Sequence, residues 1–422
     1  KVKLKIPNGI KIIILEFNVF FDYKKKEKTK LDDYTWIKDG KLYLLDSDWI
    51  NICSNFDKKE ILKHIAKVIH EQNIKFPYRE YNISYVRDQF SKLRNTNINP
   101  LKEKWKMEKT QLDCPLLYKN EYVMIPRSSL GNYVSDFFMQ KERYKAKGKG
   151  KPKSMVECWD EMLGTGELDK ERCLRAIFMK DFFRGKEFLL RSGQMTGLIV
   201  GQFRPSTAKA LYDFFDAKNV LDFCAGWGDR LAGFNASNAE TYIGIDPNSK
   251  LHEPYKQIHD FCNTGKKATF ICSPAEDVDY SELKYDFVFT SPPYFDVEIY
   301  TSEETQSIEK FNTLDLWLEG FLLTTLSKIY EGLDEGGRIA INIADNKKKK
   351  FVACNTIISH METLGATFEG VLGYKIQKRP SQFGMVKNSP DDNDFSSAEP
   401  IMVWSKGKAK DPKWNQDNYF GV

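Results

Sequence analysis

Apolar and polar positions fall into two regimes along this chain. From Val220 onward, short apolar runs predict strands at 220–224, 241–245, 268–272, 285–289 and 337–343. Runs of about four to eight apolar residues bounded by turn residues read as strands buried on both faces. Between them the spacing predicts helices over 229–234, 251–262, 313–333 and 352–364. In the third, Leu314, Trp317, Leu318, Phe321, Leu322 and Leu326 share one face. Strands alternating with helices imply a parallel sheet. The last two strands, near 368–376 and 401–404, have no helix between them and should form an antiparallel edge pair. The expected class is α/β.

Residues 1–150 lack this alternation and read as a mixed α+β region. Strands are predicted at 12–15 and 41–45, the second after the turn at Asp39-Gly40. A helix over 58–72 places Ile61, Leu62, Ile65, Val68 and Ile69 on one face, a second helix covers 84–93, and a strand at 122–125 stops at Pro126. From Lys141 to Lys153 the lysines alternate with Ala146, Gly148 and Gly150, which predicts a flexible, positive linker. It is either a solvated loop or a segment that tracks phosphates. Residues 151–190 read as a helical connector with Trp159, Met162, Leu174, Phe178 and Phe182 available for a core, and 191–422 as the main domain. Ser206 or Thr207 is the expected cap of a helix running through Phe215.

Composition changes this picture little. The chain has 422 residues, 41% hydrophobic and 29% charged, with a net charge of +5. That balance permits a nucleic-acid partner without demanding one. No apolar run is long enough to span a membrane. The eight cysteines are scattered with no Cys-x-x-Cys pair, so free thiols in a reducing intracellular compartment are expected. No metal site is expected: His64 and His70 share a helix but point apart. The chain starts at Lys1-Val2-Lys3 without an initiator Met or signal peptide, so a processed chain or a fragment is expected.

The candidate chemistry centres on Ser291-Pro292-Pro293-Tyr294, which follows the apolar run 285–289. Two prolines end a strand because they cannot donate to its ladder. A hydroxyl then stands at the strand's carboxyl end with an aromatic ring beyond it, where ligands bind in open α/β sheets. The exocyclic amine of a base is a poor nucleophile because its lone pair is delocalised. The Ser291 hydroxyl and the Pro292 carbonyl could accept its two hydrogens, and Tyr294 could stack on the base, worth roughly 1–3 kcal/mol. The motif resembles the Ser-Pro-Pro-Tyr signature of amino-methyltransferases, which carry a methyl from S-adenosylmethionine to N4 of cytosine or N6 of adenine. That resemblance implies a Rossmann-like class I methyltransferase sheet with a reversed last strand over roughly residues 190–406. It makes Ser291, Pro292, Pro293 and Tyr294 catalytic.

A second motif precedes it by about 65 residues: Asp222-Phe223-Cys224-Ala225-Gly226-Trp227-Gly228-Asp229-Arg230. Its glycines let a backbone pass close to a ligand. It is neither Gly-x-Gly-x-x-Gly nor a Walker loop. It resembles the Asp-x-x-x-Gly-x-Gly loop that holds the methionine part of S-adenosylmethionine. The resemblance implies that Asp222 faces the amino group, with Cys224, Ala225, Gly226 and Gly228 around it. It also implies that Asp246 accepts the ribose hydroxyls and that Asp277, rather than Glu276, meets the adenine. Phe203 and Thr290 are further cofactor candidates, Phe203 because the segment before the first strand resembles one flanking the methionine end.

Phe295, Tyr300, Lys347, Lys348 and Arg379 are the expected substrate contacts. A duplex target requires flipping the base out. Ser at the first motif position leans towards cytosine N4. Carbon-5 methylation, which needs a cysteine nucleophile, is excluded because Ser291 stands in its place. The leading reading is a DNA amino-methyltransferase. RNA base methylation and a non-catalytic nucleic-acid-binding subunit are the alternatives.

Overall fold

The computed structural model describes residues 29–104, 121–148, 153–167, 187–189, 201–346, 350–376 and 398–408. Before residue 190 it forms β1 (Ile37–Lys38), β2 (Lys41–Leu45), β3 (Leu101–Lys104), β4 (Glu121–Ile125), β5 (Lys147–Gly148) and β6 (Glu187–Leu189). The sheet strands of the second half are β7 (Asn219–Asp222), β8 (Thr241–Ile245), β9 (Lys267–Ile271) and β10 (Phe287–Thr290). After the short β11 (Glu298–Ile299) come β12 (Arg338–Asn342), β13 (Thr367–Lys375) and β14 (Ala398–Ser405).

Nine strands form the main sheet in the order β3-β4-β13-β14-β12-β10-β7-β8-β9. From β12 to β9 every pairing is parallel, while β14 runs antiparallel to both β12 and β13. The seven strands of the second half thus make the Rossmann-like class I methyltransferase sheet with its reversed last strand. All four β10 residues and all five β12 residues are buried, as expected of strands covered by helices on both faces.

The sheet does not stop where the alternation begins. β4 adds to β13 in parallel, and β3 pairs antiparallel with β4. Helices Ile83–Asn95 and Asn132–Arg143 lend Val86, Phe90, Leu93, Val134 and Met139 to the same core as β7 and β10. A second core gathers Leu31, Trp36, Leu44, Trp49, Ile61, Ile65, Ile69 and Trp159. Here Asp57 caps helix Lys58–Glu71 through the Lys59 N–H at 2.8 Å. Ser154 and Glu157 form a capping box for helix Met155–Thr165, which satisfies two of its otherwise orphaned donors.

Several local expectations are corrected. Ser206 and Thr207 do not cap: Pro205 occupies the first turn, where its missing N–H is harmless, and both hydroxyl residues are buried inside helix Pro205–Phe214. The helix expected over 313–333 is Leu314–Trp317, a π-helical stretch Leu318–Leu323, then Thr324–Gly332. The supposed helical connector contains a strand, β6, which pairs with β2. The lysine-rich segment is no simple linker, because helix Asn132–Arg143 runs into it and β5 pairs antiparallel with β11. Cys158 is disulfide-bonded, so the cysteines are not all free thiols. The strand expected at 12–15 lies outside the described residues. Among the described residues no helix is long and apolar enough to cross a membrane.

Candidate active site

The glycine loop joins β7 to helix Asp229–Ala236. Gly226 and Gly228 have φ of 55° and 72°, the left-handed region that disfavours side chains. The two glycines do different things. A Cβ on Gly228 would sit 2.7 Å from Ile258 Cδ1, so this glycine lets the loop pack on the helix His252–Cys262. A Cβ on Gly226 would meet the Cys224 carbonyl at 3.7 Å and Arg230 Nη2 at 4.0 Å, ordinary van der Waals contact, so no neighbour crowds this glycine. The loop is stitched to the end of β8: Ala225 N–H donates to the Ile245 carbonyl at 2.9 Å and Gly226 N–H to Asp246 Oδ2 at 2.9 Å.

Asp222 is fully buried beneath this loop. Its Oδ2 accepts from Arg230 Nε at 2.8 Å and from the Tyr242 hydroxyl at 2.7 Å, and its Oδ1 accepts from the Thr290 hydroxyl at 2.8 Å. A carboxylate so engaged faces the protein. The expectation that Asp222 faces a ligand amino group is therefore corrected: it is the buried anchor of the loop. Thr290, also fully buried, serves that anchor rather than a ligand surface. Arg230 completes the scaffold by also donating to the Cys224 carbonyl. Burial pushes the Cys224 thiol up, with Asp222 and Asp246 adding to the shift, so it is no nucleophile.

Asp246 closes β8, with Oδ1 accepting from Asn248 N–H at 3.0 Å. Each carboxylate oxygen keeps lone-pair capacity beyond its one backbone donor. Burial pushes its pKa up to about 6, against the two backbone donors that pull it down. The two acids after β9 divide. Glu276 is buried, and Lys310 Nζ lies 2.6 Å from its Oε1; Asp277 is largely exposed and lies 2.7 Å from the same lysine. Neither is unpaired, and Asp277 faces solvent more than any pocket. Phe203 stacks on Tyr374 with centroids 4.9 Å apart and lies under the Arg230 guanidinium.

At the carboxyl end of β10 the motif turns sharply. Val297 N–H donates to the Tyr294 carbonyl at 3.0 Å, and Phe295 is forced to φ 50°. A bulky residue in that region stores strain, and such strain collects at functional sites. Ser291 is half-buried and Pro292 buried. Among the described residues, none hydrogen-bonds the Ser291 hydroxyl or the Pro292 carbonyl. Tyr294 is held from two sides: its hydroxyl accepts the Ala344 N–H at 3.0 Å, and Phe351 lies against its ring at 5.1 Å. Phe295 lies on Trp317 at 6.1 Å. Tyr300 packs on Trp227 of the glycine loop at 5.7 Å, and its hydroxyl donates to Glu298 Oε2 at 2.5 Å. Its ring thus braces the two motifs against each other while staying half-buried. Lys347, Lys348 and Arg379 lie outside the described residues.

Sequence reasoning missed Asp229 and the groups around it. Asp229 is 2% exposed, and its Oδ1 accepts from the Ser135 hydroxyl and from Gln202 Nε2 at 2.8 Å. Among the described residues its Oδ2 is buried without a partner. The Asp-Arg pair after Gly228 was the available signal, since a helix-start acid beside a glycine loop need not be only a cap.

The uncrowded backbone at Gly226, the unfilled acceptor capacity of Asp246 and the orphaned Asp229 oxygen fit a bound adenosyl amino acid. Residues 285–420 match a family model described as DNA methylase, of the N6/N4 type. No curated protein matches the sequence. Among solved structures, the chain resembles a precorrin-6y C5,15-methyltransferase from Geobacter metallireducens at 11% identity, covering 47% of this chain and 87% of that one, with a TM-score of 0.31. It also resembles an rRNA methylase from Streptococcus thermophilus at 14% identity, covering 49% and 99%, TM-score 0.30. A tRNA methyltransferase from Aquifex aeolicus matches at 13% identity, covering 49% and 70%, TM-score 0.31.

Proposed function

We propose that this chain, whose residues 285–420 match the DNA methylase family and whose sheet is that of a class I S-adenosylmethionine-dependent methyltransferase, methylates an exocyclic amine of a base in DNA. One observation carries the reading. At the carboxyl end of β10, beside the glycine loop, the Ser291 hydroxyl and the Pro292 carbonyl are two acceptors that no described residue uses.

S-adenosylmethionine supplies an electrophilic methyl on a sulfonium. The chain's work is to make the amine a better nucleophile and to aim it. Accepting both amine hydrogens, Ser291 and Pro292 favour the pyramidal nitrogen and free its lone pair. S-adenosylmethionine held beside the glycine loop would offer its methyl to that lone pair and leave as S-adenosylhomocysteine, and the surplus amine proton would pass to solvent at the half-buried Ser291. The Tyr294 ring, pinned by Ala344 and Phe351, orients the base. Positioning and electrostatics account for the acceleration. Phe295 contributes to the wall on the far side of the motif, against Trp317. Ser291 in the first position favours cytosine N4 over adenine N6.

The test is transfer of tritiated methyl from S-adenosylmethionine to unmethylated duplex DNA, single-stranded DNA and total RNA, with nucleoside mass spectrometry. N4-methylcytosine in DNA is the expected product. Label in RNA alone would move the substrate class, and binding of the cofactor without any transfer would overturn the catalytic reading.

A further inference from the structure

Two of the buried carboxylates around the glycine loop are ion-paired. Asp222 pairs with Arg230 at 2.8 Å, and Asp136 pairs with Arg143. Asp246 and Asp229 have no ion-pair partner among the described residues, but Asp246 has a backbone donor on each oxygen, whereas Asp229 does not. Its Oδ1 is fixed by Ser135 of helix Asn132–Arg143 and by Gln202, which also donates to the Asn132 carbonyl at 2.9 Å and to Ser135 Oγ at 2.8 Å. Three segments of the chain therefore converge to hold one carboxylate in a single orientation. Its other oxygen is buried and has no donor among the described residues. Burial pushes the Asp229 pKa up to about 7, although Ser135, Gln202, Arg143 and Arg230 all pull it down; Tyr374 also faces it. A buried acceptor left empty costs about 1–3 kcal/mol, more for a charged group, and structures seldom retain one without a use.

Its location names the use. Asp229 follows Gly228 directly, and the Gln202 that grips it precedes Phe203. The glycine loop and the Phe203 segment enclose the amino-acid end of the cofactor on the reading above, on which this inference rests. Asp222 cannot serve that end, because Arg230, Tyr242 and Thr290 already hold both its oxygens.

We infer that Asp229, aimed by Ser135 and Gln202, is the carboxylate that receives the α-ammonium group of the S-adenosyl amino acid. The ammonium supplies the missing donor and the missing positive charge together. Helix Asn132–Arg143, from the first part of the chain, thereby becomes part of the cofactor site.

The experiment is a binding cycle by titration calorimetry, which reads affinity without turnover. Wild type and Asp229→Asn are each titrated with S-adenosylhomocysteine, with its analogue lacking only the α-amino group, and with 5′-methylthioadenosine, which lacks the whole amino acid. Removing the amino group should weaken binding to wild type about 10- to 100-fold, the range for hydrogen bonds to charged groups. In Asp229→Asn the same removal should change affinity less than about threefold, and 5′-methylthioadenosine should bind both proteins alike. Equal losses on amine removal in both proteins would overturn the inference while leaving the methyltransferase reading intact. Failure of wild type to bind any of the three ligands would instead strike that reading. Ser135→Ala provides the check if Asp229→Asn does not fold: it removes one aiming hydrogen bond and should weaken S-adenosylhomocysteine severalfold with 5′-methylthioadenosine unchanged. An equal effect on both ligands would count against the proposal.

Discussion

Under the glycine loop, Asp222 is bound by Arg230, Tyr242 and Thr290, and the loop's own N–H groups are bonded to β8 and Asp246. Beyond β10, the Ser291 hydroxyl and the Pro292 carbonyl carry no such load among the described residues, and the motif's rings are packed against Phe351 and Trp317 instead. The cofactor half is organised before anything binds. On the function proposed above, the substrate half keeps its polar atoms for the ligand and relies on aromatic packing for shape. The difference predicts that damage to the first half reads out as stability and affinity, and damage to the second as rate.

The largest effect should come from the anchor. Asp222→Ala leaves Arg230 buried without its counter-ion and strips Tyr242 and Thr290 of their acceptor. Breaking a buried pair from one side costs about 3–5 kcal/mol, so chemical denaturation should show that loss. A loss below about 1 kcal/mol would mean that the loop is not built on this residue.

Next is Tyr294→Ala. The ring's two fixed contacts suit positioning, and misplacing a substrate by about 1 Å can cost roughly 100-fold. Turnover should fall by about that factor while the affinity for S-adenosylhomocysteine changes less than about twofold. Equal losses in both would place Tyr294 in the cofactor half and erase the contrast.

How much of this contrast was legible depends on the kind of residue that carries it. The parallel strands announced themselves because both faces are apolar; β10 and β12 are buried throughout. Both motifs were readable because prolines and glycines mark backbone that ordinary residues cannot supply. Helix Asn132–Arg143 went unread for the opposite reason. Its inward side carries Ser135, Asp136, Gln140 and Arg143 beside Val134 and Met139, all buried, so the short apolar set Val134, Phe137 and Phe138 is interrupted by buried polar residues. Asp222 and Asp229 show a further limit: a sequence places acids near a loop without revealing which is already satisfied. The strand addition of β4 to β13 was hidden because an edge pairing depends on a partner distant in the chain.

The two glycines sharpen the comparison within the cofactor half. Both sit at positive φ, so an alanine at either carries a backbone penalty of order 1 kcal/mol. Gly228→Ala adds the Ile258 clash and should lower the melting temperature more. Gly226→Ala, with no clash to meet, should spare the melting temperature comparatively and weaken cofactor binding. The reverse order would mean that Gly226 does not border the ligand.

Acidity tests the same half more gently. Asp246 has a folded pKa raised to about 6 from an ordinary value of 3.8. The folded state therefore binds the proton more tightly than the unfolded chain, and this residue's contribution to stability declines as pH rises from about 4 to 6. Ligand binding runs the other way, because ribose hydroxyls donate to the ionised carboxylate. Affinity for 5′-methylthioadenosine, which has the ribose but no ammonium, should fall as pH drops below about 6, and Asp246→Asn should flatten that slope. A wild-type profile already flat across this range would remove Asp246 from the ribose.

The smallest effect tests whether the lysine-rich segment belongs to the substrate half. β5 is paired to β11, four residues beyond Tyr294, so this segment flanks the catalytic turn. Yet Lys145 lies 2.7 Å from Glu142 and Lys153 lies 2.6 Å from Glu161. Each must leave an acid to reach a phosphate, which discounts its gain. Replacing Lys145, Lys147 and Lys153 by alanine should therefore reduce the slope of log affinity for DNA against log salt by about one to two rather than the roughly 0.9 per contact expected for three free lysines. Sequence preference should stay unchanged, because phosphate contacts carry none. An unaltered slope would leave β5 as a brace for the catalytic segment and nothing more.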